Sequence, residues 1–205
     1  MSRFTNPHPE EVAAAAVFAD LASAAERGDR EAITRLLRLV APAVSRSVRM
    51  VLGARHPDVD DVIQQTFIAF VGAVGTFRGD CHPAGFASRI AVHTAISSRR
   101  HAKSQRARVA ALAALESIQP HPGGRGPDVA SRRRRLVREL LDQLPADQAE
   151  TLALHVMLGH SMEEVAKAMR CPVNTAKSRL RLAKSALRRR IEQELLFFDD
   201  LDVAS

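Results

Sequence analysis

The sequence predicts an all-α protein made of two small helical domains joined by a flexible linker. Apolar residues recur at spacings of three and four, as on one face of a helix, and the alternation typical of strands is absent throughout the chain. Residues 117–128, SIQPHPGGRGPD, contain three Pro and three Gly, which is too broken for regular structure and typical of a linker. The length of 205 residues is enough for one domain or two small ones.

Four helices are expected before the linker. The first covers 10–27 and the second covers 30–52, and each is followed by a glycine. Asp29 is the expected N-cap of the second helix, and Asp58 is the expected N-cap of the third, whose first turn is acidic as the helix dipole favours. The fourth helix is expected to begin near Phe86 and to end in the basic run RRHAKSQRAR.

The charge of the chain favours a polyanionic partner. It has 30 Lys and Arg against 23 Asp and Glu, a formal net charge of +7 and a pI near 10.6, so nucleic acid is the first expectation and a membrane surface the second. No apolar run approaches the roughly 18 residues of a membrane span, and the N-terminal residues lack the pattern of a signal peptide, which predicts a cytosolic protein. Cys81 and Cys171 lie far apart without a CxxC motif, which predicts two free thiols and no zinc site or other cofactor.

Two helical patterns near the C-terminus meet at a short break. Ser161 and Glu164 have the spacing of a capping box, and an apolar stripe follows them. The segment Cys171-Pro172-Val173 ends that helix, because proline lacks an amide donor and disfavours helical geometry in the residue before it. A second helix then begins near Asn174 or Thr175. This arrangement predicts a helix-turn-helix, in which the second helix enters the DNA major groove.

The faces of that second helix differ in chemistry. One face is apolar and is expected to be buried: Ala176, Leu180, Ala183, Leu187 and Ile191. The opposite face carries residue types that hydrogen-bond base edges: Asn174, Ser178, Arg181 and Ser185. The flanks carry cations at phosphate positions: Lys177, Arg179, Lys184 and residues 188–190. An ordinary amphipathic helix with a solvated basic face is the alternative for the helix taken alone.

Residues 144–191 resemble the C-terminal domain of bacterial sigma factors of the extracytoplasmic-function (ECF) group, which reads the −35 promoter element. The most specific part is CPVNTAKSRLRLAK. The resemblance implies base contacts from a first set of residues: Lys177, Ser178 and Arg181. It implies backbone contacts from Thr175 and Arg179. Two departures are Leu182, where some members place a cationic base-reading residue, and Arg170, where a small residue is more usual before the turn.

The segment DVDDVIQQTFIAFVGAVGTFRGD, residues 58–80, resembles the sigma-factor helix that docks on the β′ clamp of RNA polymerase, followed by the start of the promoter-melting region. The resemblance places Asp61 and Gln64 at the polymerase contact, with Gln65 beside them where Glu is common. Helical spacing puts the three on one exposed side, which without the resemblance would be a merely solvated face. Core RNA polymerase, through its β′ clamp and β flap, and promoter DNA are therefore the implied partners.

The loop FRGDCHPAGF and the helix after it resemble the parts that trap an unpaired −10 base and hold the melted strand. The candidates for the base pocket are Phe77, Asp80, His82 and Phe86. Phe77 and Phe86 are equally compatible with the hydrophobic core. The cations that could follow the phosphates are Arg89, His93, Arg99, Arg100, Lys103 and Arg106.

The implied function is that of a bacterial, cytoplasmic sigma factor that directs promoter-specific initiation through −10 and −35 elements and is not an enzyme. The expected organisation is an N-terminal extension (1–9), sigma region 2 (10–105), a linker (106–131), sigma region 4 (132–195) and a tail (196–205). A separate anti-sigma protein is a possible further partner that the sequence does not decide.

Two alternative hypotheses about the function have less support in the sequence. A free-standing helix-turn-helix repressor should dimerise on a palindrome, but no heptad seam or ligand domain supports it. An enzyme acting on nucleic acid should have clustered carboxylates or a metal constellation. The acidic cluster Asp58, Asp60 and Asp61 is explained by helix capping, and no two histidines stand at the metal-binding spacing i, i+4.

Overall fold

The structure is a computed structural model that describes residues 9–113 and 137–202, with side chains for 16–109 and 137–193. All regular structure in these ranges is helical, which confirms the all-α prediction. The helices are α1 (Pro9–Glu26), α2 (Arg30–Leu52), α3 (Val59–Ala73), α4 (Pro83–Ala113), α5 (described over 137–143), α6 (Ala146–Leu152), α7 (Met162–Ala168) and α8 (Val173–Asp202). A 3₁₀ turn, Val74–Thr76, follows α3, and a π turn, Ala153–Met157, follows α6.

Local capping fixes the start of α2 but not that of α3. The Asp29 carboxylate accepts hydrogen bonds from the backbone N–H groups of Glu31 (2.8 Å) and Ala32 (3.2 Å), as predicted. Asp58 precedes α3, but its side chain makes no capping hydrogen bond, so that part of the prediction is wrong. Its backbone, at φ −85° and ψ 10°, is not in the extended conformation that N-cap residues usually adopt.

Helix α4 is longer at both ends than the sequence pattern indicated. It begins at Pro83 and continues to Ala113, so that residues 106–113, expected in the linker, are helical. The run RARVAALA consists largely of good helix formers without Gly or Pro, which allows the helix to continue. The rest of the predicted linker, 114–131, lies outside the described residues. At the other end, α8 continues through Asp202 into the predicted tail.

One hydrophobic cluster runs through both domains. Helices α2 and α4 form the centre of the first domain and bury Val44, Val48 and Val92 completely. Leu141 and Leu154 of the second domain belong to the same cluster, because α6 and the π turn pack against α4. The two domains are therefore in direct contact. Within the described ranges, no helix is long and apolar enough to cross a membrane.

Candidate nucleic-acid interface

A capping box begins the first helix of the predicted helix-turn-helix. The Ser161 hydroxyl accepts a hydrogen bond from the Glu164 backbone N–H at 3.1 Å, and the Glu164 carboxylate accepts one from the Ser161 backbone N–H at 2.7 Å. The second bond lowers the pKa of the Glu164 carboxyl, because the Ser161 amide stabilises its charged form. This confirms the predicted start of α7.

The turn between α7 and α8 depends on a left-handed residue. Arg170 has φ +51°, the only positive φ among the non-glycine residues that the structure describes. This conformation lets the Cys171 backbone N–H donate to the Ala166 carbonyl at 3.0 Å, which satisfies the end of α7. Helix α8 then begins at Val173, one residue before the expected start. Glycine at this position would relieve the backbone strain that Arg170 carries.

The inner face of α8 is buried only along its first part. Ala176, Leu180 and Ala183 are buried against α6 and α7, as predicted. Leu187 is half-buried, but Ile191 is 38% exposed, so its predicted burial is wrong. The reason is length: α8 has 30 residues, about 45 Å, whereas α6 and α7 have seven each, about 10 Å. Helix α8 therefore extends well beyond the length that α6 and α7 can cover.

The outer face of α8 presents polar side chains to solvent. Six of the eight predicted −35 residues are exposed: Asn174, Lys177, Ser178, Arg181, Lys184 and Ser185. Thr175 and Arg179 are half-buried, and the Arg179 guanidinium forms an ion pair with Asp147 of α6. Leu182, the position that departs from the family pattern, is exposed on the same helix.

The aromatic residues predicted to hold an unpaired base belong instead to the core. Phe86 is only 4% exposed, and its ring centroid lies 6.0 Å from that of Phe70 and 5.3 Å from that of Phe77. Phe77 is half-buried, with its centroid 4.7 Å from that of Phe18. Edge-to-face packing in this cluster leaves no accessible face on Phe86. Its assignment as a base-stacking residue is corrected, and Phe77 is a cluster member at the edge of the core.

The loop before α4 is exposed at Asp80 and His82. The His82 carbonyl accepts hydrogen bonds from the N–H groups of Gly85 (2.9 Å) and Phe86 (3.1 Å). Its ring Nδ1 accepts one from the Ala84 N–H at 3.1 Å. His82 therefore caps the start of α4 with both backbone and side chain, a role that sequence reasoning did not foresee.

The basic residues of α4 turn toward the second domain. His93 Nδ1 lies 2.7 Å from a Glu150 carboxylate oxygen, and Arg89 Nε lies 3.7 Å from the other. Arg100 donates to the carbonyl oxygens of Leu141 (2.9 Å) and Leu144 (2.5 Å). These partners lie more than 40 residues away in the chain, so no local pattern in the sequence indicated them.

The predicted polymerase-docking face on α3 is exposed to solvent. Asp61, Gln64 and Gln65 are exposed, whereas Val62 on the same helix is buried. Ile68, 69% exposed, was missed by sequence reasoning although it lies one turn beyond Gln64 and Gln65.

The two cysteines are free thiols, as predicted, and both are half-buried. Burial raises the pKa of the Cys81 thiol, and the nearby Asp80 carboxylate acts in the same direction. In the described part of the chain, no group of three or more His, Cys, Asp or Glu side chains could hold a metal ion.

Two family models match separate parts of this architecture. Sigma-70 region 2 matches residues 33–105, and Sigma-70, region 4 matches residues 134–187. The ECF RNA polymerase sigma-E factors of Salmonella typhimurium and Escherichia coli K12 are each 30% identical over 179 residues, which cover 82% of this chain and 90% of theirs. The RNA polymerase sigma-H factor of Pseudomonas aeruginosa is 31% identical over 172 residues, covering 79% and 87%.

The chain belongs to the ECF group of RNA polymerase sigma factors. This sigma factor binds core RNA polymerase and promoter DNA and directs promoter-specific transcription initiation. It is an initiation factor and not an enzyme. The solved structure of CnrH in complex with the cytosolic domain of CnrY shares the fold, with a TM-score of 0.50, 21% identity and coverage of 86% of this chain and 98% of CnrH.

Proposed function

We propose that this sigma factor divides promoter recognition between its two domains in the bacterial cytoplasm. Region 4, residues 132–195, reads the −35 element through α8. Region 2, residues 10–105, docks on core polymerase through α3 and holds the melted −10 strand through the loop before α4 and the basic face of α4. The main support for this proposal is the exposed row of polar side chains on α8, which packs against α7 with its capping box.

The assignment of the −35 face to α8 is supported by its exposure and chemistry. Arg181 is exposed and can make a bidentate contact to guanine, and Ser178 and Asn174 lie on the same side of the helix. Lys177 and Lys184 flank that row and reach toward phosphates. The buried face is formed by residues too small or apolar to compete for DNA.

The test compares one base-reading arginine with one flanking arginine. Arg181→Ala should weaken discrimination at a single −35 position by about 1–3 kcal/mol, whereas Arg188→Ala should weaken binding evenly across sequences. Both changes remove one positive charge from the same helix, so they are matched. Binding is measured by fluorescence anisotropy of the holoenzyme on promoter duplexes that vary one −35 position at a time. Equal losses for Arg181→Ala on specific and scrambled duplexes would refute the base-reading role.

The assignment of the polymerase contact to α3 is supported by an exposed acidic and amide face. Asp61 and Gln64 are exposed one turn apart. Ile68 adds an exposed apolar side chain on the same helix, of the kind that becomes buried when a protein partner binds. The Asp61→Arg/Gln64→Ala variant should lose binding to purified core polymerase in a pull-down. Glu31→Arg is the matched control, because it reverses the charge of another exposed first-turn acid. Loss of binding by the control as well would remove α3 from the proposal.

Only polar side chains are proposed to contact the −10 strand. Asp80 and His82 are exposed in the loop before α4, and Arg89, His93 and Arg100 follow on the helix. Phe77 and Phe86 support the loop from the core. His93→Ala/Arg100→Ala should slow open-complex formation by the holoenzyme on a promoter, measured by permanganate reactivity of unpaired thymines. Unchanged reactivity would exclude α4 from strand binding.

A regulatory protein partner completes the proposal. CnrH was solved with the cytosolic domain of CnrY bound, and the resemblance to the ECF group suggests an anti-sigma protein for this chain also. The test is copurification of the tagged chain from its own bacterium. Recovery of polymerase subunits without any further stoichiometric protein, in cells that are not induced, would argue against such a partner.

A further inference from the structure

One large apolar side chain lies among the polar groups on the outer face of α8. Leu182 is 48% exposed. Of the side chains described for α8, those of residues 173–193, only Leu182 and Ile191 are large, apolar and exposed, and Ile191 continues the inner face. Leu182 therefore gives the proposed −35 surface an apolar group that contributes neither charge nor hydrogen bonds.

Helical geometry places Leu182 beside the predicted base-reading residues. It follows Arg181 directly, and Ser178 and Ser185 lie about one turn before and one turn after it. All three of these neighbours are exposed. Because a leucine side chain is longer than a serine side chain, a base edge that Ser178 and Ser185 can reach is also within reach of Leu182.

The neighbours of Leu182 leave the end of its side chain uncovered. On a helix, the side chains three and four positions away are the ones that can cover it. Three of these four neighbours have short side chains: Ser178, Ser185 and Ala186. The guanidinium of the fourth, Arg179, is held in an ion pair with Asp147 of α6. The apolar end of Leu182 therefore faces whatever lies against the outer face of α8.

The major groove offers a matching apolar group on one base only. Thymine carries a 5-methyl group there, whereas the other three bases are distinguished by hydrogen-bond donors and acceptors. A leucine placed against those donors and acceptors would displace their water without replacing its hydrogen bonds, which is unfavourable. Contact with the thymine methyl instead removes apolar surface from water on both molecules. The chemistry of Leu182 therefore favours thymine over the other bases.

We propose that Leu182 is a specificity-determining residue that recognises the 5-methyl group of a thymine in the −35 element. The proposal rests on the −35 role given above to α8. It also assigns a consequence to the departure from the family pattern, because the cation that some members place at this position suits guanine. At the base pair that Leu182 faces, this sigma factor prefers thymine instead.

The size of the effect follows from a single methyl group. Burying one apolar group of this size strengthens binding about fourfold. Replacing thymine by deoxyuridine removes only that methyl and leaves the hydrogen-bonding groups of the base pair unchanged. The ratio of the dissociation constants for the deoxyuridine and thymine duplexes therefore measures the methyl contact directly.

The experiment measures this ratio with the holoenzyme. The wild-type holoenzyme first selects a −35 sequence from promoter duplexes with a randomised −35 element, and each thymine on either strand is then replaced in turn by deoxyuridine. Fluorescence anisotropy should show about fourfold weaker binding at one position for the wild type and for Leu182→Met, which keeps a long apolar side chain. Leu182→Ala should bind the two duplexes equally.

Two further variants complete the experiment. Leu39→Ala is the matched control, because it removes another exposed leucine, 58% exposed on α2 of region 2, and it should keep the wild-type ratio. Leu182→Arg should change the preference at the same base pair from thymine to guanine by about tenfold, because arginine makes a bidentate contact to guanine.

Two results would overturn the proposal. The first is a ratio that is the same for the wild type and Leu182→Ala at every thymine. The second is loss of core-polymerase binding by Leu182→Ala in a pull-down with the wild-type ratio kept, because Leu182 would then contact protein and not DNA. Either result leaves the proposed function in place if Arg181→Ala still loses discrimination at one −35 position. Equal losses for Arg181→Ala on specific and scrambled duplexes would instead remove the −35 role of α8 itself.

Discussion

The capping box at the start of α7 makes a prediction whose size and pH dependence both follow from geometry. Helix α7 has only seven residues, so the two reciprocal bonds between Ser161 and Glu164 are a large share of its local stabilisation. Replacing an N-cap Ser by Ala typically costs about 1 kcal/mol. Ser161→Ala should therefore lower the free energy of unfolding by about 1 kcal/mol, or shift a urea midpoint by about 0.3–1 M for a typical slope of 1–3 kcal/mol per M.

The pH dependence isolates the contribution of the Glu164 charge. Its folded-state pKa is lowered chiefly by the Ser161 backbone N–H. The stability that this charge contributes is fully present above the unfolded pKa of about 4.3 and is lost as pH falls through the lower folded value. The difference between wild type and Glu164→Gln should accordingly be constant at neutral pH and shrink below about pH 4.3.

The assay is urea unfolding of the full chain followed by far-ultraviolet circular dichroism, since the sequence has no Trp or Tyr to serve as a fluorescence probe. Glu163→Gln is the control, because it removes a charge from the same first turn outside the capping box. If Glu163→Gln shifts the urea midpoint as much as Glu164→Gln does, the effect comes from the helix dipole and not from the capping box. A difference for Glu164→Gln that does not shrink in acid would refute the role of the charge.

Three further changes test the core and the turn. Phe86→Ala should lower the free energy of unfolding by about 3–5 kcal/mol in urea titrations, because the ring is buried in the aromatic cluster; a loss near zero would return Phe86 to the base pocket. Leu180→Ala should lower the free energy of unfolding by about 2–5 kcal/mol and broaden the amide NMR signals of region 4. An unchanged stability would mean that Leu180 does not anchor α8. Arg170→Gly should be more stable than Arg170→Ala by about 1 kcal/mol, because glycine tolerates φ +51° and alanine does not; equal stabilities in the same titration would contradict the left-handed turn.

Much of this protein could be predicted from the sequence because its signals are local. The cap at Asp29, the capping box at Ser161 and the break at Pro172 each depend on residues within a few positions of one another. Helical periodicity likewise predicted the buried face of α8 at Ala176, Leu180 and Ala183. The family resemblance depended on the same local segments, and the comparisons with known sigma factors confirm it.

The exact helix ends and the far end of α8 were less predictable. Asp58 has the right residue type for a cap, but its backbone conformation prevents the capping bond. Ile191 continues the apolar face of α8, but burial requires a neighbouring element, and the short helices beside α8 do not reach it.

Sequence alone determined the helices, the two-domain plan and the chemistry of the α8 surface, since these follow from spacing along one chain segment. Only the tertiary structure decided that Phe86 lies in the core and that Arg99, His93 and Arg100 face region 4. Those contacts join residues more than 40 positions apart, and local spacing carries no information about which distant carboxylate or carbonyl will meet a given cation. The packing of one domain against the other settles that choice, because buried charges are stable only where a partner meets them.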